Sequence, residues 1–146
     1  MTALTVNRSL KMRNTGAMSR YSYIILTTKK VYKHAFMELT AAGKAQPCTN
    51  NTTATFIGIA EDEVATGNGT RRVTTIHDVE VRLEGAGQAV TALTAGMVND
   101  TAIFAADDNL ATNATTLGPQ IGIITERVGA NDVWIRLRSV INTKGV

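Results

Sequence analysis

The sequence predicts an all-β fold, a small antiparallel β-barrel or sandwich with an extended N-terminal arm, and three observations carry that expectation. The composition is 44% hydrophobic yet only 5% aromatic and 18% charged, with Val, Ile and Thr prominent. Such side chains suit a pleated, half-buried surface. Short apolar runs recur at spacings of about ten residues, separated by Gly, Asn, Asp and Pro, which is the rhythm of a sandwich or barrel. In the third, Val79, Val81 and Leu83 alternate with Glu80, Arg82 and Glu84, the pattern of an antiparallel strand with one wet face. A chain of 146 residues suggests one domain, large enough to hold a core without disulfide or metal.

Residues 1–20 show no sustained period, because Asn7, Ser9, Asn14, Gly16 and Ser19 interrupt any apolar face. They read as an arm, flexible alone and able to order on binding. The β-rich body is expected over residues 21–140 and a loose tail over 141–146. Tyr21 to Thr28 reads as the first strand. Val31 to Leu39 reads as its continuation or partner, with Val31, Ala35, Met37 and Leu39 mostly on one face; a helix from Val31 to Ala42 is the alternative. Gly43, Pro47, Asn50 and Asn51 make residues 42–55 a loop. Ala54 to Ala60 is a buried strand whose Gly58 marks a bend or close backbone approach.

Glu61 to Ala65 is read as one helical turn with acidic residues near its start. Thr66 to Thr70 is a turn. Arg71 to Ile76 and Val79 to Glu84 follow as strands joined at His77-Asp78, and Gly85 to Gly96 as a loop. Thr101 to Ala106 is a strand, Asp107-Asp108-Asn109 a turn, and Asn109 to Leu117 a polar stretch ended by Gly118-Pro119. Gln120 to Thr125 resumes the sheet. Gly129 to Asn131 turns the chain into a last strand, Asp132 to Arg138, with Val133, Ile135 and Leu137 on one face and Trp134, Arg136 and Arg138 on the other. That makes roughly seven or eight strands.

No catalytic constellation emerges. His34 and His77 lack neighbours at metal-ligand spacing. Gly67-Asn68-Gly69 lacks the Gly-Lys-Ser/Thr of a phosphate loop. Glu61-Asp62-Glu63 and Asp107-Asp108 suit turns better than acid–base work or a calcium site. An enzyme built on Asp107 and Asp108 is the least favoured reading. Cys48, the single cysteine, has no visible base beside it. No cofactor is predicted. No stretch reaches the roughly 20 apolar residues of a membrane helix, and no signal-peptide run opens the chain, so synthesis in the cytoplasm without a membrane partner is expected.

The formal charge of +3 is uneven: residues 1–45 carry eight basic residues against Glu38, and the rest carries 7 basic and 11 acidic. A basic front with Tyr21, Tyr23 and Tyr32 nearby raises a small nucleic-acid-binding barrel as the alternative reading. The run Ile24-Ile25-Leu26 argues instead for a core strand. Trp134, with Arg136 and Arg138, is an interface candidate, since Trp and Arg concentrate binding energy; burial of that face within the fold is the competing reading.

One resemblance reaches further. Phe56-Ile57-Gly58-Ile59-Ala60 precedes an acidic turn, then the charged strand Val79 to Glu84, then Leu93-Thr94-Ala95-Gly96-Met97-Val98. Ala102 to Asp108, Ile121-Gly122-Ile123-Ile124 and Val133-Trp134-Ile135-Arg136-Leu137 complete the order. Over residues 54–138 this order resembles the head decoration, or capsid cement, proteins of tailed bacteriophages. The resemblance implies a non-enzymatic virion protein on the capsid surface, bound to the major capsid protein and to itself, as a trimer rather than a dimer. It also implies an N-terminal segment that reaches the shell, which makes Arg8, Lys11, Arg13 and Arg20 the capsid-contact candidates. The arm here is longer and more basic than that pattern.

Overall fold

The computed structural model describes residues 4–49, 51–84, 102–105, 108, 111–112, 118–129 and 132–137. These residues are all-β, and their strands form two antiparallel sheets packed as a sandwich. The first sheet has six strands: β1 (Met12–Arg13), β7 (Glu80–Glu84), β11 (Asp132–Leu137), β10 (Gln120–Gly129), β8 (Ala102–Ala105) and β9 (Ala111–Thr112), neighbours in that order. The second has five: β2 (Ser19–Ile24), β6 (Arg72–His77), β5 (Thr55–Ala60), β3 (Phe36–Leu39) and β4 (Ala45–Pro47).

The five-stranded sheet curls until its outer strands touch. Ile25 bridges Ala45 in parallel, and Leu26 N–H donates to Ala45 O at 2.8 Å. Contact stops there, so the sheet does not close into a barrel. The curl gives this sheet a core on each face. Between the sheets lie Phe36, Phe56, Ile59 and Ile76, against Val81, Leu83, Ile103, Ile121, Ile124, Val133, Ile135 and Leu137 of the other sheet. Inside the curl lie Ile25, Val31, Ala35, Met37, Ala45, Ile57, Ala60 and Val73. Each large aliphatic side chain fully buried this way contributes about 1.5–3 kcal/mol.

Serving two cores requires a change of parity within β5. Met37 pairs with Gly58, but Glu38 pairs with Phe56, so β5 carries a one-residue bulge. The bulge turns Phe56 and Ile59 to one core and Ile57 and Ala60 to the other. Gly58 makes it possible: its φ is 113°, and a Cβ there would stand 2.4 Å from the Ile76 carbonyl oxygen. The close approach expected at Gly58 is thus observed, and glycine alone meets both demands.

Several expectations change. Eleven strands are present among the described residues, more than the seven or eight expected. Residues 42–55 contain β4, a three-residue edge strand that ends on Pro47; an edge tolerates proline because no ladder N–H is lost. The polar stretch 109–117 contains β9. No helix forms from Val31 to Ala42: Val31 makes an isolated bridge to Val64, and β3 begins at Phe36. The helical turn expected over residues 61–65 does not form either: Glu61 and Asp62 are bends, and Val64 is the bridge partner of Val31. β10 runs to Gly129, past the expected Thr125. Residues 85–96, 141–146, Asp107, Asn109 and Arg138 lie outside the described residues. The expected strands at β2, β5, β6, β7, β8 and β11 are observed with boundaries shifted by a few residues.

Candidate binding surface

The arm segment from residue 4 onward lies along the body and is interrupted by one 3-10 turn at Thr15–Ala17. Leu4 packs on the core inside the curl, while Leu10, Met12 and Met18 pack on the core between the sheets. β1 pairs with β7, Met12 opposite Val81 and Arg13 opposite Glu80. This register sets Arg13 on the outer face of the six-stranded sheet, where β11 presents Trp134.

The Arg13 guanidinium lies over the Trp134 ring, 4.2 Å from its centre. Its Nη1 donates to Glu126 Oε1 at 2.7 Å and its Nη2 to Glu80 Oε1 at 3.2 Å. The hydrogen bond to Glu126 and the neighbouring carboxylates hold the Arg13 pKa above its ordinary value, against the opposing effect of desolvation. Glu80 is itself buried. It also accepts hydrogen bonds from Asn14 Nδ2 and Thr125 Oγ1, so its charge is fully answered. Beside it, Arg82 donates twice to Asp132, at 2.9 and 2.7 Å, and this fork lowers the Asp132 pKa. Lys11 reaches Glu84 at 3.5 Å, and Arg136 Nη2 donates to Asp78 O at 3.4 Å.

The result is an ordered mosaic of charge around one half-buried tryptophan. Isolated surface ion pairs contribute little to stability. Their value here is order: side chains already fixed lose less entropy when a partner lands.

The structure therefore brings Arg13, Arg136 and Trp134 onto one face, with Lys11 near it. It places Arg8 and Arg20 elsewhere. Arg8 Nε and Nη2 donate to His34 O at 3.0 and 2.9 Å, and its guanidinium lies 4.8 Å from the Phe36 ring centre. Arg20 donates to Glu61 at 2.8 Å. Lys30 pairs with Glu63. Much of the basic front is thus answered by acids of the body, within the molecule. Tyr23 packs on the core and Tyr21 stacks on His77, with centroids 5.2 Å apart. Neither forms a row of free aromatic faces for bases.

Two groups that sequence reasoning treated as minor hold the arm. Asp108, read as a turn residue, is buried and accepts the Leu4 N–H through Oδ1 at 3.0 Å. His34, read as a strand residue, adopts a left-handed φ of 61° and accepts the Leu10 N–H through Nδ1 at 2.8 Å. No local signal marks either, since both act on residues distant in sequence. The partners of Arg13 were half visible: Glu80, Arg82 and Glu84 were expected on one wet face, but Glu80 is buried there beneath Arg13, Asn14 and Thr125, and the alignment with Trp134 was not foreseen.

Other chemistry is sparse. No group of three or more metal-ligating side chains occurs among the described residues. A groove of about 230 Å³, lined by Thr52 to Phe56 with Pro119 and Gln120, contains no titratable side chain. Cys48 is buried and forms no disulfide. No helix among the described residues is long and apolar enough to cross a membrane. A scan against protein-family models finds no match, and a search of curated proteins finds none.

Proposed function

We propose that this chain is a non-enzymatic virion protein that binds the outer surface of a phage capsid and stabilises contacts between major capsid subunits. The order of short apolar sequence segments over residues 54–138 supports this reading, because it resembles that of capsid decoration proteins. The observation that carries it to a surface is the pre-ordered face around Trp134. An aromatic side chain with arginines beside it, held in place before any partner arrives, suits a protein–protein contact. The arm's cations then hold the arm to the body and order that face, while Trp134 and Arg136 meet the shell.

A two-layer body with two cores suits a reinforcing role, since packed interiors resist deformation. Repeated copies on one lattice add avidity, and self-association as a trimer belongs to the same proposal. The test is co-sedimentation with expanded shells of the cognate major capsid protein, scored by occupancy per capsid subunit. Saturable occupancy at a fixed ratio supports the proposal. Absence of the protein from the shell pellet overturns it.

A further inference from the structure

We infer that the outer edge of β2 accepts an extended, carboxylate-bearing segment of the shell protein as an added strand; this inference rests on the capsid reading above. The sheets offer four edge strands among the described residues. β1 and β9 have two residues each, and β4 has three and ends on Pro47. Short strands and proline are common ways to keep an edge from pairing. β2 has six residues and no proline, and Arg20, Tyr21 and Ser22 in its middle are exposed.

The register shows which backbone groups face outward. Ile25 N–H donates to Arg71 O at 2.9 Å, and the β2–β6 ladder runs in the same register down to Ser19 opposite His77. Pairs therefore alternate: Ser19, Tyr21 and Tyr23 exchange hydrogen bonds with β6, and Arg20, Ser22 and Ile24 turn their N–H groups away from it. Beyond Ile24 the same edge is already used in this way, where Leu26 N–H meets Ala45 O. An incoming strand would extend a pairing that β4 begins.

The charges at this edge select the occupant. Arg72 lies across it, its Nε on Ser22 Oγ at 2.8 Å and its Nη2 on Ser22 O at 3.1 Å. Arg71 and Arg72 are both exposed. A second copy paired edge to edge through Ser22 would set two Arg72 guanidinium groups against one another. A segment with a carboxylate opposite Ser22 would take Arg72 instead, and its own N–H would take the Ser22 carbonyl.

Ser22→Pro removes one outward N–H and leaves the β6 ladder whole, since position 22 gives it no hydrogen bond. Ser22→Ala controls for the lost hydroxyl. With wild-type protein bound to expanded shells, Ser22→Pro should lose roughly tenfold or more in affinity, with Ser22→Ala near wild type and circular dichroism unchanged in both. Hydrogen exchange of the wild-type peptide over residues 18–26 should slow on shells, since the amides of Arg20, Ser22 and Ile24 are its unbonded ones within β2. Shell binding by a folded Ser22→Pro equal to wild type, or unslowed exchange in bound wild type, overturns the edge proposal and leaves the capsid reading standing. Failure of wild type to bind shells overturns both. A smaller oligomer for Ser22→Pro in solution would identify the occupant as a second copy and overturn the proposal as well.

Discussion

His34 combines a conformational demand with a chemical one. Its φ of 61° is left-handed, and its Nδ1 must be unprotonated to accept from Leu10. Burial, with Lys33 and Arg8 nearby, lowers its pKa from 6.5 to about 4, although Asp62 pulls the other way. The unfolded chain therefore takes up a proton in a window where the folded protein does not. Stability is full above pH 6.5 and declines as pH falls from there to about 4. His34→Asn keeps an acceptor and tolerates positive φ. Unfolding midpoints measured from pH 7 to pH 4 should fall less for His34→Asn than for wild type. Glu38 gives the opposite sign. It is buried, and burial raises its pKa although Thr49 and Gln46 donate to Oε1; Oε2 has no partner. Its charge weakens the fold increasingly as pH rises above the ordinary carboxyl value. Unfolding midpoints of Glu38→Gln should therefore gain on those of wild type as pH rises from 4 to 7, and a difference that stays constant over that range would count against the assignment. Neither role was legible in the sequence, because both residues occupy strand-like runs whose pattern marks a face and not a partner.

At the scale of elements, β1 shows how little sequence a strand needs. Two residues join the sheet because Leu10 and Met12 pack on the core and Arg13 is gripped by Glu80 and Glu126. Arg13→Ala should free the cover of Trp134, the only tryptophan. Its fluorescence should shift to the red while far-ultraviolet circular dichroism stays constant; an unshifted spectrum would mean that the arm does not depend on Arg13. The legible strands were those with clean alternation or a continuous apolar run, as in β7, β11 and β5. β4, β9 and β1 were missed because two or three residues have no period. Residues 61–65 were misread because local acidity suggested a helix start, and the bridge from Val31 to Val64 overrode it.

At the scale of the molecule, the all-β class was legible from composition and spacing, and the choice between barrel and sandwich was not. That choice depends on long-range register: β6 and β7, adjacent in sequence, belong to different sheets, and the chain crosses between them at Asp78, whose φ is 57°. The arm, read as separate from the body, is anchored in both cores among its described residues. Removing residues 1–20 should thus lower the unfolding midpoint as well as any shell binding, so truncation alone cannot map the contact. Trp134→Ala is the cleaner probe, because that side chain faces away from the core. Its affinity for expanded shells should fall roughly 30-fold, the equivalent of ~2 kcal/mol for a binding hot spot. Titration of shells with this variant checks it, and an unchanged affinity would move the contact off this face.

The two-sided burial of β5 also sets how this protein can vary. In most strands substitution is tolerated at every second position, where the side chain meets water. From Phe56 to Ala60 each residue is buried, so no position is free to drift. A saturation library scored for folding should show an unbroken intolerant block there, beside an alternating stripe over Asp132 to Leu137. Divergent descendants of this chain would keep the first as a word and the second only as a rhythm.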